Sequence, residues 1–139
     1  MEELFYKYGV DIYFSGHVHS YERDFPVYQG VPEKTYDNPK ATTHIMIGGA
    51  GNDEMHNAQA QSKSNQAAPR ESLGKWKSSE GSSGPWTAFV DVDDHVGIGK
   101  VTIIDDSTLK FDYHRSSTGE IFDSITLTRD HANFKVSKN

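Results

Sequence analysis

The chain has 139 residues, with 14 basic against 20 acidic, a net charge of −6 at pH 7 and a pI near 5.6. That balance lacks the basic footprint of a nucleic-acid binder or a polybasic membrane-surface protein. With no cysteine, disulfides, thiolate metal sites and cysteine nucleophiles are all excluded. The length suits one domain, the 12% aromatic content argues for a packed core, and a mean hydropathy of −0.70 argues for a sizeable polar loop beside it. Met1-Glu2-Glu3-Leu4 has neither the basic n-region nor the apolar h-region of a signal peptide, and no run approaches 18 apolar residues.

In chain order, residues 2–8 read as the last turns of a helix, with Leu4, Phe5 and Tyr8 on one face and Gly9 as its stop. Val10 to Phe14 reads as a short buried strand with Val10, Ile12 and Phe14 on one face. Helix, glycine, strand is the step of an α/β unit. Ser15 to Arg23 reads as a loop. Phe25 to Gln29 reads as a short strand, and Pro26, Pro32, Asp37-Asn38 and Pro39 break the next stretch into turns. Thr43 to Ile47 is a second β-rich run, ended by Gly48-Gly49-Ala50-Gly51. That glycine run lacks the Lys-Ser/Thr of a phosphate-binding P-loop and reads as a turn.

Residues 53–86 are rich in Ser, Gln, Asn and Gly and read as a long polar loop, loosely packed or functional. From 87 to 130 the pattern is that of an antiparallel meander. Ala88, Val90 and Val92 alternate, then Val101, Ile103 and Ile104 precede a turn at Asp105-Asp106-Ser107. Leu109, Phe111 and Tyr113 alternate next, and Ile121 to Arg129 forms the last strand. Residues 131–139 read as a tail.

The chemistry concentrates in Gly16-His17-Val18-His19-Ser20-Tyr21-Glu22-Arg23, directly after the first strand. The carboxyl ends of strands are where α/β sheets bind ligands. Two histidines at i and i+2 can turn both imidazoles towards one ion, or one towards each ion of a pair, and Gly16 lets the backbone turn sharply. Against this, a His-x-His pair is short enough to arise by chance among seven histidines. Tyr21, Glu22 and Arg23 read as anchors of the ligand loop, with a Glu–Arg contact behind the histidines. His44 and His56 read as surface residues, and His114 and Arg115 as solvent-facing. Asp91, Asp93 and Asp94 read as the exposed face of a strand, because they alternate with Val90 and Val92.

The string Gly16 to Arg23 resembles the last metal-binding motif of the purple acid phosphatases, in which Gly-His-x-His is followed by Tyr-Glu-Arg. Met1 to Ser15 is similar to the helix and strand that lead into that motif. Thr43 to Asn52 resembles the family's strand with a glycine-rich turn. Gly97 to Val101 and Asp112 to Glu120 resemble its closing segment. The resemblance implies an α+β fold: the C-terminal fragment of a metallophosphoesterase β-sandwich flanked by helices, mostly antiparallel, with one short N-terminal helix and a long polar loop. Residues 1–52 would then be the catalytic-domain piece with the metal motif.

By the same resemblance, His17 binds a divalent metal (Zn2+, Mn2+ or Fe2+) and His19 binds Fe3+. Gly16, Tyr21, Glu22 and Arg23 support them, and His95 sits near Gly97 and Gly99, close to where the family's closing segment returns towards the active site. The implied reaction is hydrolysis of phosphate monoesters, in an extracellular or vacuolar setting. The family's other metal motifs, Asp-x-Gly, Gly-Asp-x-x-Tyr and Gly-Asn-His, do not occur in the 139 residues. Hence the chain is expected to be the C-terminal part of a larger catalytic domain, with Met1 internal or a mis-assigned start. It would be inactive alone, with the remainder of that domain as its partner. The alternative is a non-enzymatic β-rich interaction module that keeps a His-x-His metal-binding loop.

Overall fold

Gly9 takes the left-handed conformation (φ 63°, ψ 44°) and ends α1 (Glu2–Tyr8). Its N–H donates to the Tyr6 carbonyl and that of Val10 to the Phe5 carbonyl, the paired bonds of a Schellman motif. The structure is a computed structural model that describes residues 1–51, 84–91 and 95–134. Most of the expected polar loop, His56, Asp93 and Asp94 therefore lie outside the described residues. α1 is as expected, but its expected packing face is not buried, because Leu4 and Tyr8 are exposed. The helix is held by other rings. Tyr6 stacks on Tyr28 at 3.9 Å, and Phe5 lies against Tyr13 at 5.1 Å.

One sheet is built from β1 (Ile12–Ser15), β2 (Tyr21–Asp24), β5 (Thr43–Ile47) and β6 (Thr87–Val90), in the order β1-β5-β2-β6. β1 and β5 run parallel, with Ile12 opposite Thr43 and Ser15 opposite Met46. The other two pairings are antiparallel. A small hairpin joins β3 (Val27–Tyr28) to β4 (Val31–Pro32). Positive φ at both Gln29 and Gly30 is what a two-residue hairpin turn needs, so the expected strand 25–29 shrinks to two residues.

The second sheet is the meander β7 (Gly97–Asp105), β8 (Thr108–Arg115) and β9 (Ile121–Thr128). Gly97 and Gly99 face the rings of the neighbouring strand. A methyl group on Gly97 would lie 2.5 Å from the Tyr113 ring, and one on Gly99 2.7 Å from that of Phe111. The glycines thus leave room for aromatics to lie across an edge strand.

The two sheets meet through Tyr21 and Ile45 on one side and Phe111, Tyr113 and Ile125 on the other, all buried. Tyr21 lies flat on Tyr113, with centroids 3.9 Å apart and planes 8° apart.

Two expectations about elements are corrected here. Residues 21–23 belong to a strand and not to the ligand loop. β2 sits between β5 and β6, so Tyr21, Glu22, Arg23 and Asp24 are all buried. β6 does not join the meander but pairs with β2, its Phe89 ring packing near Tyr21 and edge-on to Phe122.

Three side-chain expectations are also corrected. Asp91 is only 1% exposed, since it accepts the His95 backbone N–H at 2.7 Å and approaches His95 Nδ1 at 3.0 Å. His44 lies inside β5, half-buried, and burial lowers its pKa. His114 and Arg115 are half-buried, and the Arg115 guanidinium sits 3.9 Å over the Phe122 ring.

Candidate metal site

β1 delivers the chain to Ser15 at its carboxyl end, and residues 16–20 bend back before β2 begins at Tyr21. The His-x-His loop therefore sits beside the carboxyl ends of β1 and its parallel neighbour β5, the edge where such sheets bind ligands. Gly16 and His17 are exposed and His19 is half-buried. The Ser20 N–H donates to the Val18 carbonyl at 2.9 Å and tightens the bend. Asp91 joins the same edge, its N–H donating to the Tyr21 carbonyl at 3.0 Å. His95 follows, next to Val96 and Gly97, and the Gly97 N–H donates to the Gly49 carbonyl.

Imidazole suits zinc and iron, so the donors present fit the metals expected. They form only part of a shell. Among the described residues no group of three or more His, Cys, Asp or Glu side chains converges on one point.

Behind the loop, β2 is clamped to the second sheet. Arg23 donates through Nε to Asp123 Oδ2 at 2.6 Å and through Nη2 to Asp123 Oδ1 at 2.9 Å. The Tyr21 hydroxyl donates to Asp123 Oδ2 at 2.6 Å. Arg23 Nη1 bonds the Tyr36 hydroxyl, which itself donates to the Asp24 carbonyl at 3.1 Å. Burial would raise the Asp123 pKa, but the hydrogen bonds from Arg23 and Tyr21 outweigh it and hold the carboxyl below its ordinary range. Burial, reinforced by Asp123, pushes the Tyr21 hydroxyl well above its ordinary pKa.

The expected Glu22–Arg23 contact is not made. Alternation along β2 sends Tyr21 and Arg23 to one face and Glu22 and Asp24 to the other. Glu22 accepts from the Thr87 hydroxyl at 2.9 Å. With Asp24, Glu2, His44, Met46 and Trp86 it lines a cleft of about 320 Å³ on the outer face of the sheet. Asp24 is 7% exposed, and its Oδ1 has no hydrogen-bond partner. Burial, then the neighbouring Glu22 carboxylate, pushes its pKa up to about 7.

Sequence reasoning misses Asp123, Tyr36 and Gly48 as parts of the site. Asp123 carries no local mark of its role, since its partners Arg23 and Tyr21 lie 100 and 102 positions away. Gly48 is visible in the sequence only as one glycine in a rich turn.

The described fold is thus a parallel strand pair ending in a His-x-His loop and backed by an antiparallel meander. A family model described as "Iron/zinc purple acid phosphatase-like protein C" matches residues 41–124, more than half of the sequence. The chain belongs to the purple acid phosphatase family, of which it carries the C-terminal domain.

An Arabidopsis thaliana relative named "Probable inactive purple acid phosphatase 27" is 34% identical, over 94% of this chain and 18% of its own length. An acid phosphatase of Aspergillus ficuum is 35% identical, over 92% of this chain and 19% of its own length. The solved purple acid phosphatase from yellow lupin seeds superposes with a TM-score of 0.67 at 31% identity, over 94% of this chain and 20% of that one. The chain thus spans about a fifth of the length of these relatives.

Proposed function

We propose that this chain supplies two ligands, His17 for a divalent metal (Zn2+, Mn2+ or Fe2+) and His19 for Fe3+, to the dinuclear centre of a phosphomonoester hydrolase. The remaining ligands come from the rest of the catalytic domain. The observation that carries this is the placement of the His-x-His loop at the carboxyl ends of a parallel strand pair. The metal pair supplies Lewis-acid activation of phosphate and water. This chain supplies orientation. The His17 and His19 imidazoles project from a short bend, and β2 behind it is fixed by Asp123, which holds Arg23 and Tyr21. Tyr21, Glu22 and Arg23 act through that scaffold and not on substrate.

The partner is the remainder of the catalytic domain, which completes the sandwich and its flanking helices. In support, the cleft face leaves a buried carboxylate oxygen of Asp24 unpartnered, and Leu4, Tyr8, Ile98 and Ile103 are exposed. An extracellular or vacuolar location follows from the family resemblance, and no helix among the described residues is long and apolar enough to cross a membrane.

A second reading, a non-enzymatic β-rich module retaining the metal-binding loop, is favoured by the word "inactive" in the name of the Arabidopsis relative and by the chain's own aromatic core. Hydrolysis of an aryl phosphate by the chain loaded with Fe3+ and Zn2+ tests the first reading. No turnover above the metal-only background is expected, and substantial metal-dependent turnover would overturn the division of ligands.

A further inference from the structure

We propose that Gly48 is a positioning residue that sets where His17 and His19 lie. This rests on the metal-ligand reading above. β5 ends at Ile47, and the next residue passes directly beneath the ligand loop. A methyl group placed on Gly48 would lie 2.0 Å from the Val18 carbonyl oxygen, 2.6 Å from the Gly16 carbonyl oxygen and 2.8 Å from the Val18 carbonyl carbon. All three are backbone atoms, so no side-chain rotation relieves the overlap. Ordinary non-bonded contacts between heavy atoms lie near 3.5 Å, so relief at the Val18 oxygen needs a movement of about 1.5 Å.

The loop moves and the strand does not. β5 is hydrogen-bonded on both sides, by β1 and β2, and its Ile45 is wholly buried. Beyond it, the Gly49 carbonyl is held by the Gly97 N–H. Gly16 and His17, in contrast, are exposed. A displacement of that size is several times the tolerance of about 0.2 Å on a metal–ligand bond. The requirement is steric, because Gly48 is not among the positive-φ glycines. Gly16 differs: a methyl group there would meet nothing nearer than Gly48 Cα at 3.9 Å. The glycine that the ligand loop needs thus sits in the other strand's end, 31 positions after His17.

The test compares the 139-residue chain with its Gly48→Ala, Gly16→Ala and His17→Ala/His19→Ala variants. Readouts are Co2+ titration with the ligand-field spectrum, thermal melting, and the imidazole NMR signals without metal. Gly48→Ala is expected to weaken Co2+ binding at least tenfold and alter the spectrum. Without metal, it shifts the His17 and His19 signals while melting stays within a few degrees of wild type. Gly16→Ala keeps wild-type binding and signals. Unfolding of Gly48→Ala, unmoved imidazole signals, or an equal effect from Gly16→Ala would overturn the assignment. Undiminished Co2+ binding by the double-histidine variant would instead defeat the metal-ligand reading, and the metal-free imidazole shifts would still decide the role of Gly48.

Discussion

Replacing Asp24 by asparagine should make this chain more stable, and only at neutral to alkaline pH. Asp24 is buried beside Glu22, its Oδ1 is unpartnered, and its pKa is pushed from 3.8 up to about 7. The folded form therefore holds this proton more tightly than the unfolded chain does. The stability the proton confers is complete below pH 4 and is lost as pH rises to 7. Each pH unit is worth about 1.4 kcal/mol, so the full displacement would cost about 4 kcal/mol. The cleft opens to water, and screening of a partly solvated charge reduces that to about 2 kcal/mol. Asparagine resembles the protonated carboxyl and carries no charge to desolvate. The Asp24→Asn gain should be near zero at pH 4 and about 2 kcal/mol at pH 8, roughly 8 °C in melting temperature for a domain of this size. Thermal melts of both proteins at pH 4, 6 and 8 read the difference directly. A gain that does not vary with pH, or a loss at pH 8, would refute the reasoning. Seating a basic side chain of the remaining domain in the cleft would reverse the sign.

Asp123→Ala leaves the Arg23 guanidinium and the Tyr21 hydroxyl without their shared acceptor. Urea unfolding should show a loss of about 3–4 kcal/mol, and a loss below about 1 kcal/mol would show that the clamp is not structural. Because the Asp123 pKa is held low, that support is present above pH 4 and fades as pH falls, so wild type and variant should converge in acid. Gly99→Ala drives a methyl group to 2.7 Å from Phe111 and should cost about 1–3 kcal/mol. Phe111→Leu in the same chain should recover part of it, and no recovery would place the strain elsewhere.

The local elements are legible where pattern and environment agree. The Gly9 stop, the β-branched run Thr43–Ile47 and the alternation through Leu109, Phe111 and Tyr113 each announce their structure within a few residues. β2 does not, because Tyr21-Glu22-Arg23-Asp24 is dense in charge and reads as loop. It is buried all the same, since Asp123 satisfies Tyr21 and Arg23, and Thr87 satisfies Glu22, from strands 65 or more positions away. β6 reads as part of the meander because sequence neighbours usually pair, yet its ladder partner β2 lies more than 60 residues earlier. Asp91 reads as exposed by alternation, but its carboxylate accepts the His95 backbone N–H and lies 3.0 Å from His95 Nδ1. At the site, the histidines and their strand-end placement are readable. The glycine beneath them is not, because the contact between Gly48 and Val18 depends on the parallel pairing of β1 with β5.

The most direct test of the central claim is to graft this chain onto the lupin enzyme in place of the matching fifth, and to measure aryl phosphate hydrolysis with His17 and His19 intact or replaced by alanine. The account predicts turnover in the intact graft, and its loss on either substitution with the melting temperature unchanged. Turnover that survives both substitutions would contradict it.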